Sequence, residues 1–267
     1  MTQDVIQAGV ASAGRTKQPI TVLLQMLVLN ITFWILALPV TILFAIVGGV
    51  IVAVFRLISG NRRRTLWLVR RTISNYGAAI VKCAWPWVRV KYVDYSPEDL
   101  APFVFVANHR SFSDGFLMSY LPLECVQVVN IWPFKMPLLG VVAKLAGYLS
   151  IREMEFDDFV RQGSRLLRDG VSVIAFPEGT RSGSTVMGPF HSSAFRLAQH
   201  SGASIVPLAI SGNENIPRRG TAWLRPGKIV VSKLPAITAG QYSGLSAFEL
   251  KSMVRERIQQ HLDSQPV

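Results

Sequence analysis

The longest uninterrupted feature of the chain is apolar. Val22 to Phe55 contains no charged residue, and only Gln25, Asn30, Thr32, Pro39, Thr41 and the pair Gly48-Gly49 interrupt it. A soluble fold does not need an apolar run of this length, so residues 20–58 are expected to form a helical membrane anchor. As one straight helix the uncharged run would measure about 51 Å, against a hydrocarbon core of about 30 Å. Pro39 disfavours helix at the residue before it. The expected form is a two-helix hairpin folded back at Pro39, with one tilted span as the alternative. Arg15 and Lys17 flank one end and the cluster from Arg56 to Arg71 flanks the other, which puts both ends on the cytoplasmic side. Residues 1–19 are polar and rich in small side chains and are expected to be disordered.

From residue 59 polar and apolar positions mix again. Nine Lys or Arg lie between Arg56 and Lys91, and no Asp or Glu occurs between Asp4 and Asp94. Leu66, Trp67, Val69, Ile73, Tyr76, Ile80 and Trp85 are interleaved with them. Residues 59–87 therefore predict a basic amphipathic linker helix of the kind that lies among lipid headgroups. Residues 88–267 alternate between short β-rich apolar runs and helical periods. Strands are expected at 88–92, 103–107, 124–130, 148–151, 171–176, 203–210 and 228–233. Helices are expected at 115–121, 135–146, 157–168 and 192–201. A last helix opens at the capping box Ser246–Glu249, with Leu250, Val254, Ile258 and Leu262 recurring every four residues. The expected fold is α/β: a mixed central sheet flanked by helices, with an N-terminal helical membrane anchor.

Composition narrows the partners. Half of the 267 residues are hydrophobic and only 16% are charged, yet the formal net charge is +12. A basic, apolar chain suits a partner that is both anionic and greasy, so membrane lipids at an anionic leaflet surface are expected. No basic-aromatic RNA motif, zinc-finger spacing or heptad repeat accompanies the charge, and nucleic acid is not an expected partner. Cys83 and Cys125 are the only cysteines and show no ligand spacing, so no metal site or disulfide framework is expected.

Two stretches carry chemistry. The strand at 103–107 ends in Asn108-His109-Arg110-Ser111-Phe112-Ser113-Asp114, a polar turn with Ser113 as a plausible cap for the next helix. On one helix His109 and Asp114 would point about 140° apart. A turn between them lets a carboxylate hold an imidazole, which makes an oriented general base. The strand at 171–176 runs into Pro177-Glu178-Gly179-Thr180-Arg181-Ser182-Gly183. Gly179 allows close backbone approach, Arg181 offers a fork of donors suited to phosphate, and Glu178 can accept a hydrogen bond from a hydroxyl. Both stretches sit at the carboxyl ends of strands, where ligands of α/β sheets bind.

These residues resemble the glycerolipid, or lysophospholipid, acyltransferases of the 1-acylglycerol-3-phosphate acyltransferase type. Asn108 to Asp114 matches the family's His-x4-Asp signature, and Phe176 to Ser182 matches its Phe-Pro-Glu-Gly-Thr-Arg-Ser block. Ile205 to Ile210 is similar to its fourth block. Arg152 is the best match in the second block, five residues after Gly147 where the family usually has six. His191 and Ser193 stand where Lys and Gly are common. The resemblance implies transfer of a fatty acyl group from acyl-CoA or an acyl-carrier protein to the hydroxyl of a lysophospholipid, with 1-acylglycerol-3-phosphate the foremost acceptor. It implies no cofactor beyond that acyl donor. His109 would be the base and Asp114 its holder. Glu178 would orient the acceptor, while Arg181, Arg152 and Lys135 would hold an anionic headgroup. Gly179, Thr180, Asn108 and Ser111 complete the expected binding set. The other histidines, His191 among them, read as ordinary surface or helix residues. The implied location is a membrane, a bacterial inner membrane with the catalytic domain on the cytoplasmic side. The competing expectations are the same chemistry on an ornithine lipid or glycolipid, a thioester hydrolase, and a non-catalytic membrane-binding protein. Oligomeric state is not readable.

Overall fold

The structure is a computed structural model that describes residues 19–97, 102–129, 137–151 and 153–265. Apart from Pro19, the stretch expected to be disordered lies outside the described residues. Helix α1 spans Ile20–Ser59, 40 residues, with a π-helical turn at Phe44–Gly48. Pro39 lies inside its first α-helical segment, so the expected reversal at Pro39 does not occur. Proline removes one backbone donor, but packing against a second helix carries α1 through that point. The chain reverses at Gly60 instead, whose φ of +58° closes the helix in a left-handed cap. Asn61 then caps helix α2, Arg62–Lys82, by accepting from the Arg64 N–H at 3.1 Å. The reversal thus pairs the apolar helix with the basic one, and the apolar run itself does not fold back. The Thr41 and Tyr76 hydroxyls meet at 3.1 Å. Gly48 faces Thr72 so closely that a Cβ there would come within 2.9 Å of its methyl group.

The remaining elements in chain order are β1 (Val88–Asp94), β2 (Val104–Ala107), α3 (Asp114–Leu117), β3 (Cys125–Val129), α4 (Pro137–Ala146), β4 (Leu149–Ser150), α5 (Phe156–Arg168), β5 (Ser172–Ala175), α6 (Ser193–Ser201), β6 (Ile205–Ser211), β7 (Gly227–Lys233), α7 (Ala239–Tyr242) and α8 (Ala247–Ser264). The seven strands form one sheet in the order β1-β7-β6-β2-β5-β3-β4. Every pairing is parallel except β6 with β7. The sheet is therefore mixed and covered by helices.

Both faces of the sheet are buried, which is why its central strands read as unbroken apolar runs. Val104 and Val106 of β2 face a core completed by Phe159, Phe195, Leu250 and Val254 from α5, α6 and α8. Phe103, Phe105 and Ala107 face the other way, into a core that contains Leu117, Val206 and Leu208 and also Leu29 of α1. The apolar helix thus shares a core with the sheet. Helix α2 is stapled to the sheet by charge. Arg70, 5% exposed, pairs with Glu124 at 2.7 Å and donates to the Ala146 carbonyl at 2.8 Å, while Arg63 takes the second Glu124 oxygen at 2.7 Å.

Losing Arg70 leaves Glu124 with Arg63 alone and the Ala146 carbonyl without its donor, and an unmade buried hydrogen bond costs about 1–3 kcal/mol. Arg70→Met is expected to lower unfolding stability by about 2 kcal/mol, read from the denaturant midpoint in detergent. An unchanged midpoint would mean that the staple contributes nothing net.

Candidate active site

Strand β2 lies between β5 and β6, and all three run parallel. Their carboxyl ends deliver His109, Glu178 and Asn213 to one place. His109 Nδ1 meets Asp114 Oδ2 at 2.7 Å. The same oxygen accepts the backbone N–H of Arg110 at 2.7 Å and of Ser111 at 3.0 Å. The other oxygen accepts the Asn213 side-chain amide. Asp114 is fully buried, so it is a carboxylate without water whose charge is spread over four donors. It holds the Nδ1–H tautomer, which leaves the lone pair of a neutral ring on Nε2. The Phe176 ring lies 4.6 Å from the imidazole, centroid to centroid, and restricts its tilt. Ser113 makes no side-chain cap. The carboxylate that opens α3 is instead turned back onto its own loop.

His109 lines a cavity of about 1030 Å³. Its lining includes the apolar side chains of Ile73, Phe116, Met118 and Val142, the rings of Tyr76 and Tyr148, and the polar side chains of His109, Thr180, Arg181 and His191. Gly77 brings α2 against the turn after α3; a Cβ there would lie 2.0 Å from Ser119 Oγ. Cys125 also lines the cavity, and burial pushes its thiol up to about 12. It is therefore a neutral thiol and no nucleophile.

The expected site residues divide into those that face the cavity and those that build its walls. Glu178, Gly179, Thr180 and Arg181 line it together with His109. Gly179 has φ +66° and presents its hydrogen to the His191 ring. The Arg181 guanidinium lies over Phe112, 5.8 Å from the ring centroid, and has no carboxylate partner among the described residues. Glu178 faces the cavity and is also held by two backbone groups. One of its oxygens accepts the His109 N–H and the other the Gly188 N–H, each at 2.7 Å. Asn108 and Ser111 differ from expectation. The Asn108 amide bridges to Ile210, accepting its N–H at 2.7 Å and donating to its carbonyl at 2.9 Å. The Ser111 hydroxyl donates to the Ile216 carbonyl at 2.8 Å. Both residues are buried, so they fix the loop and cannot reach a ligand. Lys135 and Arg152 lie outside the described residues. His191, read from sequence as ordinary, stands on the cavity rim. Asn213 was not singled out; only the fold brings it across 99 positions to Asp114.

The segment 88–211, from β1 to the end of β6, matches a family model described as acyltransferase. Over that segment the chain is similar to the acyltransferase family. A 1-acyl-sn-glycerol-3-phosphate acyltransferase of Chlamydomonas reinhardtii is 26% identical over 204 residues, 74% of this chain and 58% of that protein. The human beta isoform is 29% identical over 59% of this chain and 57% of its own length. A chloroplastic acyltransferase of Brassica napus is 30% identical over 47% of this chain and 37% of its own length. This chain thus spans well under two thirds of these relatives. The crystal structure of the 1-acyl-sn-glycerophosphate acyltransferase PlsC from Thermotoga maritima shares the fold, with a TM-score of 0.72 over 90% of this chain and 96% of that one at 22% identity.

Burial raises the Glu178 carboxyl above its ordinary range, against the opposing hydrogen bonds from His109 and Gly188. Between the ordinary value and the raised one, folded Glu178 holds a proton that the unfolded chain has released. Stability therefore falls as pH rises through that window. The melting temperature of the wild type is expected to drop relative to Glu178→Gln as pH climbs from the ordinary carboxylate value. Parallel profiles would mean that Glu178 ionises without penalty.

Proposed function

We propose that this chain is a membrane-bound O-acyltransferase. It moves a fatty acyl group from an acyl-CoA or acyl-carrier-protein thioester to the free hydroxyl of a lysophospholipid. The foremost acceptor is 1-acylglycerol-3-phosphate, which gives phosphatidic acid. The observation that carries this reading is a histidine held by a buried carboxylate in a cavity lined by both apolar and polar side chains, with an arginine that has no carboxylate partner among the described residues. The names of the family relatives support the acceptor.

The chemistry follows from the residues. The acceptor hydroxyl is scarcely ionised near neutral pH and is the difficult partner. His109 Nε2 takes its proton as the oxygen attacks the thioester carbonyl, and Asp114 stabilises the imidazolium that forms. The tetrahedral adduct collapses with cleavage of the C–S bond, and the proton passes from His109 to the departing thiolate. No enzyme nucleophile is needed, consistent with the neutral Cys125 thiol. The apolar walls take an acyl chain, and Arg181 takes the phosphate.

Membrane attachment has its own support. The α1 face at Leu29, Asn30 and Ala37 is buried, whereas Leu24, Trp34, Ile35, Leu38, Ile46 and Ile51 on other faces are at least half exposed. A helix of about 60 Å with the catalytic domain along one side suits lying within one leaflet better than crossing both. The basic α2 supports a leaflet on the cytoplasmic side, and the membrane of this reading is a bacterial inner membrane.

The test is purified protein in detergent with acyl-CoA and acyl-carrier-protein donors and a panel of lyso-acceptors. Thiol release that depends on acceptor is expected; release without acceptor would make the chain a hydrolase. His109→Ala is expected to cut transfer by about 10²–10⁴-fold at unchanged melting temperature, with Asp114→Asn nearly as damaging. Turnover within tenfold of wild type would overturn the assignment.

Asn213 is expected to tune the same base. Without its amide, Asp114 loses one of its four donors and holds the imidazole less firmly. In Asn213→Leu kcat should fall with the acceptor KM little changed. A kcat that stays in place would reduce Asn213 to a structural role.

A further inference from the structure

The segment 212–226 joins β6 to β7 and is clamped at both ends. At its start Asn213 holds Asp114, and the Ser111 hydroxyl donates to the carbonyls of Ile216 at 2.8 Å and Pro217 at 3.1 Å. At its end Leu224 exchanges two bonds with the side-chain amide of Asn30. The Asn30 amide donates to the Leu224 carbonyl at 2.9 Å, and the Leu224 N–H donates back at 2.8 Å. Asn30 is 4% exposed, and it is the polar interruption in the apolar helix that the sequence left unexplained. Between the clamps residues 218–223, Arg-Arg-Gly-Thr-Ala-Trp, are exposed throughout, with Trp223 at 52%.

The clamp has a geometric consequence. Asn30 sits in the stretch of α1 that exposes Leu27, Ile31 and Trp34 to the outside. A lipid surface that receives this stretch also meets residues 218–223. Their side chains suit such a surface. Guanidiniums pair with phosphates, and an indole favours the level of the headgroups. Neither Arg218 nor Arg219 has an ion-pair partner among the described residues.

We propose that residues 218–223 form a second membrane-contact element, which binds anionic phospholipid headgroups through Arg218 and Arg219 and seats Trp223 at the interface. The proposal rests on the membrane attachment argued above and adds a surface outside both helices. Because its near end holds Ser111 and Asp114, the element sets the depth at which the cavity opens.

The experiment uses the full chain and compares wild type with the Arg218→Ala/Arg219→Ala double variant. Sedimentation is measured with phosphatidylcholine vesicles and with phosphatidylcholine–phosphatidylglycerol vesicles. Transfer to a detergent-dispersed acceptor is measured in parallel. The variant is expected to bind anionic vesicles about twenty-five-fold more weakly, at about fivefold per arginine, with the difference shrinking at high salt. Binding to neutral vesicles and transfer in detergent should match wild type. Trp223→Ala should weaken binding to both vesicle types. Equal binding of variant and wild type to anionic vesicles would overturn the proposal. So would a loss of transfer in detergent, which would place the arginines in substrate or donor binding. Failure of the wild type to bind any vesicle would overturn the membrane reading itself.

Discussion

The carboxylate of Asp114 is sealed from water and surrounded by four donors, from His109, Arg110, Ser111 and Asn213. A buried charge of this kind is tolerable only when its lone pairs are met. The donors come from three places, the end of β2, the loop after it and the end of β6, so much of the sheet must be in register before the charge is satisfied. The order β6-β2-β5 does this. It also brings Glu178 under the His109 backbone, where it fixes the residue from the other side. The imidazole is therefore oriented at its ring by one carboxylate and at its main chain by another.

Much of this was legible along the chain. Strands β2 and β5 are short apolar runs that end in polar turns, and burial on both faces makes such runs conspicuous. The pair His109 and Asp114 was legible because the turn between them is local. The hairpin was misplaced because the rule applied at Pro39 weighs only the neighbouring peptide, whereas α1 packs against Tyr76 and Thr72 of another helix. Gly60, in a polar dipeptide just past the apolar run, was the better signal for the reversal.

The polar residues show a different limit. Asn108 and Ser111 look like ligand-binding groups by type and position, but each is spent on backbone atoms of a distant segment, while Glu178 lines the cavity and also holds the His109 N–H. Asn30 resembled a mere interruption in an apolar run and proved to be the contact with Leu224. Residue type alone does not tell a side chain that meets a ligand from one that completes a neighbour's main chain. The difference lies in contacts 69 to 194 positions apart.

The cavity is built from two sources. Its reactive end belongs to the segment 88–211 shared with the family, but Ile73, Ser74, Tyr76 and Gly77 of α2 form part of its wall. On the proposed function, the groups that do the chemistry and the groups that measure the acyl chain are thus separable in the gene. Substitutions along one face of α2 would then reshape the range of fatty acids accommodated while the histidine and its carboxylate stay untouched. An organism adjusting the fluidity of its lipids to temperature would have, in that helix face, a place to make the change without risking the reaction.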